Sequence, residues 1–285
     1  MKPASKISVG VIVATYNKPD YLRGTLRQLM RQDHMPDQIF IADDGSGAET
    51  KAVVEDFSKQ FQNMVHVWHE DTGFRKCQIL NKAIAQSDSQ YVIFIDDDCL
   101  CPPWFVSAHL TAARTNSFTV GASVNLGPAI TDNILKGTTD FSDFLACTPL
   151  EKMTCIETKS RGGYSKLFLR AALTGKRLGK VFDRLYAGRG VFRGGNSGAW
   201  KNDLIKVNGF NNEMVYGHED REIGERLRNL GLSCRQVRYF GANFHLHHDR
   251  SYADPERKRA QSRMCKQARK NGTTFVSQGI IDALD

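Results

Sequence analysis

Tyr91-Val92-Ile93-Phe94-Ile95-Asp96-Asp97-Asp98 is an aromatic and β-branched run that stops abruptly at three carboxylic acids. A short continuous apolar run of this kind fits a strand buried on both faces of a parallel sheet. In open α/β sheets ligands gather beyond the carboxyl ends of the strands, and that is where the acids stand. Three adjacent carboxylates repel one another unless cations offset them. Hard oxygen ligands suit Mg²⁺ or Mn²⁺, with phosphate oxygens completing the coordination. An isolated Asp triplet would serve equally as a helix N-cap or a solvated acidic turn; the strand before it favours a site.

Towards the N-terminus the same design recurs. Ile7–Ala14 reads as a strand ending in Thr15-Tyr16-Asn17, and Pro19 opens a helix with Leu22, Leu26, Leu29 and Met30 at helical spacing. Gln38–Ala42 reads as a second strand, ending in Asp43-Asp44-Gly45-Ser46. Ala48–Gln60 reads as a helix, Val65–His69 as a third strand, and Arg75–Gln86 as a helix with Ile79, Leu80, Ala83 and Ile84 as its apolar stripe. Repeated β-α order predicts an α/β fold with a mostly parallel sheet and helices on its faces. Polar clusters at three strand ends are the first sign of a ligand site. A carboxylate such as Asp44 can accept a hydrogen bond from a base N–H, although Asp-Gly is also a common turn pair.

Beyond Pro102-Pro103 the pattern loosens, and residues 126–190 carry no usable periodicity. Order returns over Val191–Trp200, a helix over Asp220–Leu230 and a strand over Gln236–Leu246. Gly217-His218-Glu219-Asp220 opens that helix, where an acid serves as a cap, as a general base, or as both. In His245-Leu246-His247-His248, strand alternation puts His245 and His247 on one face, where an imidazole can join a metal. Arg193-Gly194-Gly195-Asn196 offers backbone amides, a guanidinium and a side-chain amide; it suits a diphosphate or donor sugar, or simply a tight turn.

The chain has 285 residues, enough for one large domain or for a nucleotide-binding half joined to an acceptor half. Its 7 cysteines are odd in number and form no Cys-x-x-Cys pair, which points to a reducing compartment rather than a disulfide or zinc framework. No stretch approaches the ~20 apolar residues of a spanning helix, so a cytoplasmic location is expected. The formal charge is +8. Much of it lies in Arg257–Lys270, which reads as a solvated basic helix before it reads as a peripheral contact with anionic membrane, because its apolar face (Ala260, Met264, Ala268) is weak. Nucleic acid is not expected as a partner, since no aromatic-basic RNA motif appears.

Together these motifs resemble family 2 glycosyltransferases of the GT-A fold. The resemblance runs through Val11–Lys18, Ile41–Ser46, Arg75, Asn81 and Phe94–Asp98, and resumes at Gly194-Gly195-Asn196 and Tyr216–Asp220. From Phe192 to about Leu230 the chain is also similar to galactosyl- and N-acetylgalactosaminyltransferases. The resemblance implies a Rossmann-like nucleotide-sugar half over 1–125 and an acceptor and catalytic half of the same domain over 126–250; residues 251–285 read from their charge as a basic helical tail. It implies Ala14 and Tyr16 in the nucleotide pocket, Tyr16 beside the uracil, Asp44 on the uracil imide and Arg75 near base or phosphates. Asn81, Arg193, Gly195 and Asn196 join the donor contacts. Asp96 and Asp97 approach donor and ribose, and the metal, Mn²⁺ or Mg²⁺, takes Asp98, Asp96 and His245, with His247 competing. Asp220 is the implied base, with Glu219 beside it.

The implied activity is inverting, metal-dependent transfer of a hexose or N-acetylhexosamine, galactose or N-acetylgalactosamine first, from a UDP-sugar to a carbohydrate or glycolipid acceptor. The implied setting is bacterial surface polysaccharide or lipopolysaccharide synthesis. Related galactosyltransferases often carry Trp-Gly-Gly-Glu-Asp where this chain has Tyr216-Gly217-His218-Glu219-Asp220. The competing enzyme, a sugar-phosphate nucleotidyltransferase, wants a glycine-rich phosphate loop after the first strand, and Ala14-Thr15-Tyr16-Asn17 has no glycine.

Overall fold

The computed structural model describes residues 7–157, 164–185, 190–249 and 254–281. The first hundred residues follow the predicted order: β1 (Val9–Thr15), α1 (Pro19–Leu29), β2 (Gln38–Asp43), α2 (Ala48–Ser58), β3 (Met64–Trp68), α3 (Lys76–Gln86) and β4 (Tyr91–Asp96). β1 pairs in parallel with β2 and β4, and β2 with β3. Every residue of β1 is buried, as the unbroken apolar run required. Burying each Val or Ile fully contributes about 1.5–3 kcal/mol. The two faces of the sheet feed separate cores, one under α3 with Phe40, Phe94 and Ile84, the other under α1 and α2 with Val11, Leu26 and Phe57.

β5 (Cys99–Leu100), α4 (Phe105–Ala112), β6 (Ser117–Val120) and β7 (Ser123–Asn125) follow. The stretch without readable periodicity is helical: α5 (Pro128–Leu135), α6 (Phe141–Ala146), α7 (Pro149–Thr154), α8 (Tyr164–Leu173) and α9 (Arg177–Leu185). These helices are short, so each shows too few turns to reveal a period. Two of them are capped by side chains: Asp140 accepts from the Ser142 amide on α6, and Thr148 and Glu151 form a reciprocal capping box on α7. Then come β8 (Ser197–Trp200), α10 (Lys201–Lys206), α11 (Glu219–Asn229), β9 (Ser233–Gln236), β10 (Asn243–His245) and α12 (Pro255–Asn271).

The main sheet has seven strands in the order β3-β2-β1-β4-β8-β6-β9, with β8 antiparallel to both neighbours. A second sheet, β5-β10-β7, stands beside it. The strand expected over Gln236–Leu246 is therefore two. β9 pairs with β6 in the main sheet, and β10 pairs with β5 and β7 in the small one. The chain changes sheet through a turn over residues 237–242.

α12 packs along α11, with Gln261 and Ala268 buried and Met264 against the core. The apolar face read from the sequence thus faces the protein, and the basic residues Arg257, Lys266 and Lys270 face water. No described helix is long and apolar enough to cross a membrane.

Candidate active site

β4 delivers the acids. Asp96 is half-buried at the strand end and reaches Lys76 Nζ of α3 at 2.6 Å. Asp97 turns the other way: its Oδ2 accepts from Thr15 Oγ1 at 2.8 Å, and the side chain is buried. Burial, followed by the neighbouring Asp98 charge, pushes the Asp97 carboxyl up to about 7. Asp97 therefore braces β4 against β1 instead of lying open beside a ribose, as the resemblance implied. Asp96, half-buried, and Asp98, buried, are the two acids whose carboxylates come together, within 4.8 Å of each other and of Cys99 Sγ.

Asp98 is the electrostatic centre. Lys18 Nζ lies 3.1 Å from Oδ2, His248 Nε2 2.9 Å from Oδ2, and His245 Nε2 3.4 Å from Oδ1. Burial alone would raise its carboxyl, but His245, His248 and Lys18 hold it far below the carboxylate range. β10 is the reason His245 is there: it runs antiparallel to β5, and His245 pairs directly with Cys99. The strand ends at His245, so the expected alternation does not carry on to His247. The His247 amide goes to Thr131 Oγ1 at 2.9 Å and its ring faces Glu157, 3.9 Å away. His248 turns back instead, against the edge of Tyr21, whose hydroxyl donates to the His247 carbonyl. The partner of His245 at Asp98 is His248, not His247.

The ligand atoms of Asp98, His245 and His248 lie within 4.8 Å of one another, as do those of Asp96, Asp98 and Cys99. Burial and the adjacent carboxylates push the Cys99 thiol well up. Without a thiolate, the donors are carboxylate oxygens and imidazoles, a set that fits Mn²⁺ better than a thiolate metal.

The strand-end loops of β1 and β2 are fastened together. Asn17 Oδ1 accepts from Gly47 N, and Ser46 Oγ from Asn17 N. Asp44 is buried; its oxygens accept from His69 Nε2 at 2.7 Å and from the Arg75 amide at 3.0 Å. Burial raises its carboxyl despite His69. Tyr16 is exposed, its hydroxyl on Asp71 Oδ2 at 2.7 Å, while Ala14 lies in the β1 ladder between Ala42 and Asp96. The Arg75 guanidinium donates to the Glu70 carbonyl.

The opposite wall is built by α11. Its N-cap, His218, is left-handed (φ 72°) and follows Gly217 at φ 103°; that sharp turn aims Glu219 and Asp220 inward from a rigid helix start. Asp220 Oδ2 accepts from the Gly194 amide at 3.4 Å, and Glu219 Oε2 from the Gly217 amide at 2.8 Å. Gly195 lies over Asp96: a Cβ there would meet Asp96 Oδ2 at 3.0 Å and Cys99 Sγ at 3.2 Å, so no side chain fits without displacing the acid. Lys76 joins the walls. Burial opposes its charge, yet Asp96 and Glu219 hold it protonated.

Burial and then the Asp220 charge push the Glu219 carboxyl up to about 7; burial also raises Asp220. The two titrate as a pair. A base must be ionised to accept a proton, so a raised carboxyl moves the acid limb of activity upward. Activity is expected to climb with pH as this pair ionises, above the ordinary carboxylate range, and to fall away below it. A flat kcat/KM between about pH 5.5 and 8 would contradict this assignment.

Two residues expected among the donor contacts are scaffold. Asn81 is fully buried: it donates to the Phe210 carbonyl and Asn212 Oδ1, and accepts from the Phe210 amide. Asn196 is also fully buried, on the Ala122 and Gly241 carbonyls and His109. Both amides are sealed from the cleft with their hydrogen bonds made. Asn81 acts with Arg226, which is bidentate to Glu222 and also donates to the Val207 and Gly209 carbonyls. Together they fix the segment that leads into Tyr216–Asp220. Lys76 and His248 were the residues missed. Each stands one position beyond a residue that the motifs single out, Arg75 and His247, and nothing in the local spacing separates them.

An acid-and-imidazole centre at the β4 end thus faces a helix-borne acid pair across a glycine loop. The chain belongs to glycosyl transferase family 2, whose sequence profile matches residues 10–173, and a second profile, the N-terminal domain of galactosyltransferase, matches residues 181–249. It is similar to Protein CgeD of Bacillus subtilis, 33% identical over 100 residues that make up 33% of this chain and 24% of that protein. A putative teichuronic acid biosynthesis glycosyltransferase, TuaG of Bacillus subtilis, is 29% identical over 90 residues, 32% of this chain and 35% of the relative. The matches thus span about a quarter to a third of these relatives. The fold matches the mannosyltransferase PcManGT from Pyrobaculum calidifontis, solved with GDP-Man and Mn²⁺, with a TM-score of 0.56 at 17% identity over 88% of this chain and 60% of that one.

Proposed function

We propose that the chain transfers a hexose or N-acetylhexosamine, galactose or N-acetylgalactosamine first, from a UDP-sugar to a glycan hydroxyl with inversion, in the synthesis of a bacterial surface polysaccharide. The observation that carries this reading is the convergence of Asp98, His245 and His248 with Glu219 and Asp220 on the two sides of Gly194-Gly195. The similarity of residues 181–249 to the galactosyltransferase domain supports the donor preference, and the likeness to TuaG supports a cell-surface polymer.

The acceptor O–H attacks the anomeric carbon of the donor from the face opposite the diphosphate. Asp220 takes the proton as the new C–O bond forms. The anomeric C–O bond to phosphate breaks, and UDP leaves with that electron pair. One displacement turns an α-linked donor into a β-linked product. Glu219 orients the sugar beside Asp220. Lys76 holds Asp96 in place and supplies positive charge towards the phosphates as charge develops. Asp98, His245 and His248 would hold a divalent cation, whose chemistry is to neutralise the departing diphosphate. Asp44, Tyr16 and Arg75 frame the base.

A donor panel tests the reading: UDP-, GDP- and dTDP-sugars with Mn²⁺ or with EDTA, followed by nucleotide release. Release from one UDP-sugar, abolished by EDTA, is the expected result. Release from a GDP-sugar alone, or undiminished release in EDTA, would overturn the donor or the metal respectively.

A further inference from the structure

Three segments joined by hydrogen bonds, one of them beside Asp220, each carry an arginine; among the described residues none of the three makes a salt bridge, and Asp220 is the acid whose charge supports Arg193. Arg193 opens the Gly194-Gly195 loop, one residue before the amide that reaches Asp220. Arg238 lies in the turn between β9 and β10, and Arg170 in α8. Hydrogen bonds stitch the segments together. Asn196 Nδ2 donates to the Gly241 carbonyl at 3.1 Å, tying the glycine loop to the turn. Thr174, at the end of α8, donates through Oγ1 to the Phe240 carbonyl at 3.2 Å, and the Gly175 amide reaches the same carbonyl at 3.1 Å. Arg170 stands one helical turn before Thr174, whose amide bonds to its carbonyl.

These hydrogen bonds bring the three segments together, and two of the guanidiniums keep a buried donor unused. Nε of Arg170 and Nε of Arg238 are both buried and without a hydrogen-bond partner. Asp183 of α9 gives its two oxygens to the Tyr239 and Phe240 amides at 2.9 Å each and is also stabilised by the Arg238 charge, without a salt bridge to its guanidinium. Burial, then Arg238 and Arg193, lowers Arg170 to about 10, the mark of cations pressed on one another. Unpaired guanidinium forks are matched by the planar or tetrahedral oxygens of a carboxylate or phosphate. A Cβ added at Gly194 or Gly195 would meet Lys76 or Asp96, so the donor-side groups lie along that stretch of the loop, and Arg193 precedes it.

We propose that Arg170, Arg193 and Arg238 form an anion subsite beside Asp220 that grips a phosphate or carboxylate carried by the acceptor. This rests on the donor and base assignments above. It makes the acceptor an acidic glycan or a phosphate-linked one, with its anion fixed near the hydroxyl to be glycosylated.

The test uses the full chain saturated with UDP and Mg²⁺, titrated with methyl phosphate. The wild type should bind methyl phosphate whether or not UDP is present. The Arg170→Gln/Arg238→Gln variant should bind it about tenfold or more weakly, the scale of lost charge-assisted hydrogen bonds, with UDP·Mg²⁺ affinity kept. The Arg170→Lys/Arg238→Lys variant, which keeps charge but loses the fork, should fall between and guards against a folding artefact. Methyl phosphate bound equally by the glutamine variant, or displaced by UDP·Mg²⁺, would overturn the subsite. UDP-glucuronic acid and UDP-glucose separate the sources: a loss of affinity in the glutamine variant confined to UDP-glucuronic acid would assign the subsite to the donor and overturn the acceptor assignment, and equal affinities support it. A wild type that binds no UDP·Mg²⁺ refutes the donor reading itself; intact UDP binding with unaltered phosphate binding refutes only the subsite.

Discussion

Asp220→Asn is expected to lower kcat for transfer by about a thousandfold, roughly 4 kcal/mol of barrier, which is within the range for losing a positioned proton acceptor. The substitution is close to isosteric. The amide oxygen still accepts from Gly194, so the start of α11 and the glycine loop keep their geometry. UDP·Mn²⁺ should therefore bind within about twofold of wild type, since the lost charge acts on proton transfer and not on the diphosphate. Single-turnover kinetics with calorimetry of UDP binding reads both quantities. Turnover near wild type would move the base to Glu219, the other raised carboxyl of the pair; a parallel collapse of UDP binding would make Asp220 part of the donor site instead.

Asp98→Ala is expected to be as severe by a different route. Asp98 is buried and is approached by His245, His248 and Lys18 together, so its loss removes the anchor on which three cationic or metal-binding groups are centred. Mn²⁺-dependent UDP binding should weaken by about a hundredfold or more, the scale at which metal sites respond to loss of their ligands and supports. The histidines then discriminate. His248→Ala should lose much of the metal dependence, whereas His247→Ala, whose ring faces Glu157, should keep metal affinity within about twofold of wild type. A reversed pair of results would return His247 to the metal and remove His248.

The part of this molecule legible in its sequence is the part built from local rules. Buried parallel strands announce themselves as continuous apolar runs, and the β-α alternation over residues 7–96 fixes a parallel sheet whose strand ends collect Asp44, Asp96 and Asp98. What stayed hidden depends on long-range packing. Gln236–Leu246 reads as one strand because its apolar residues continue through the turn; the break follows from β9 and β10 finding partners in different sheets. Asn81 and Asn196 sit in motif positions, yet their amides are consumed by backbone groups distant in sequence, at Phe210 and at Gly241. Asp97 sits between the two acids that come together, and the turn after β4 directs it to Thr15 instead. Arg170 and Arg238 carry no sequence signal, since only the folding of α8 against the 237–242 turn brings them to Arg193.

One junction in the main sheet bears on how such a chain changes over generations. The backbone leaves β6 at Val120 and joins β8 at Ser197, and these two residues are partners in the same ladder. Everything between them is a closed excursion whose ends are already neighbours. Lengthening such an excursion costs only about 0.6 kcal/mol of closure entropy per doubling, and it need not disturb the register of β4, which carries the acids. The excursion is not uniform: β7 near its start pairs with the strand that carries His245, and Gly194-Gly195 at its end lie against Asp96 and Asp220. A lineage can therefore exchange the helices α5 to α9 between them, provided both flanks are inherited unaltered.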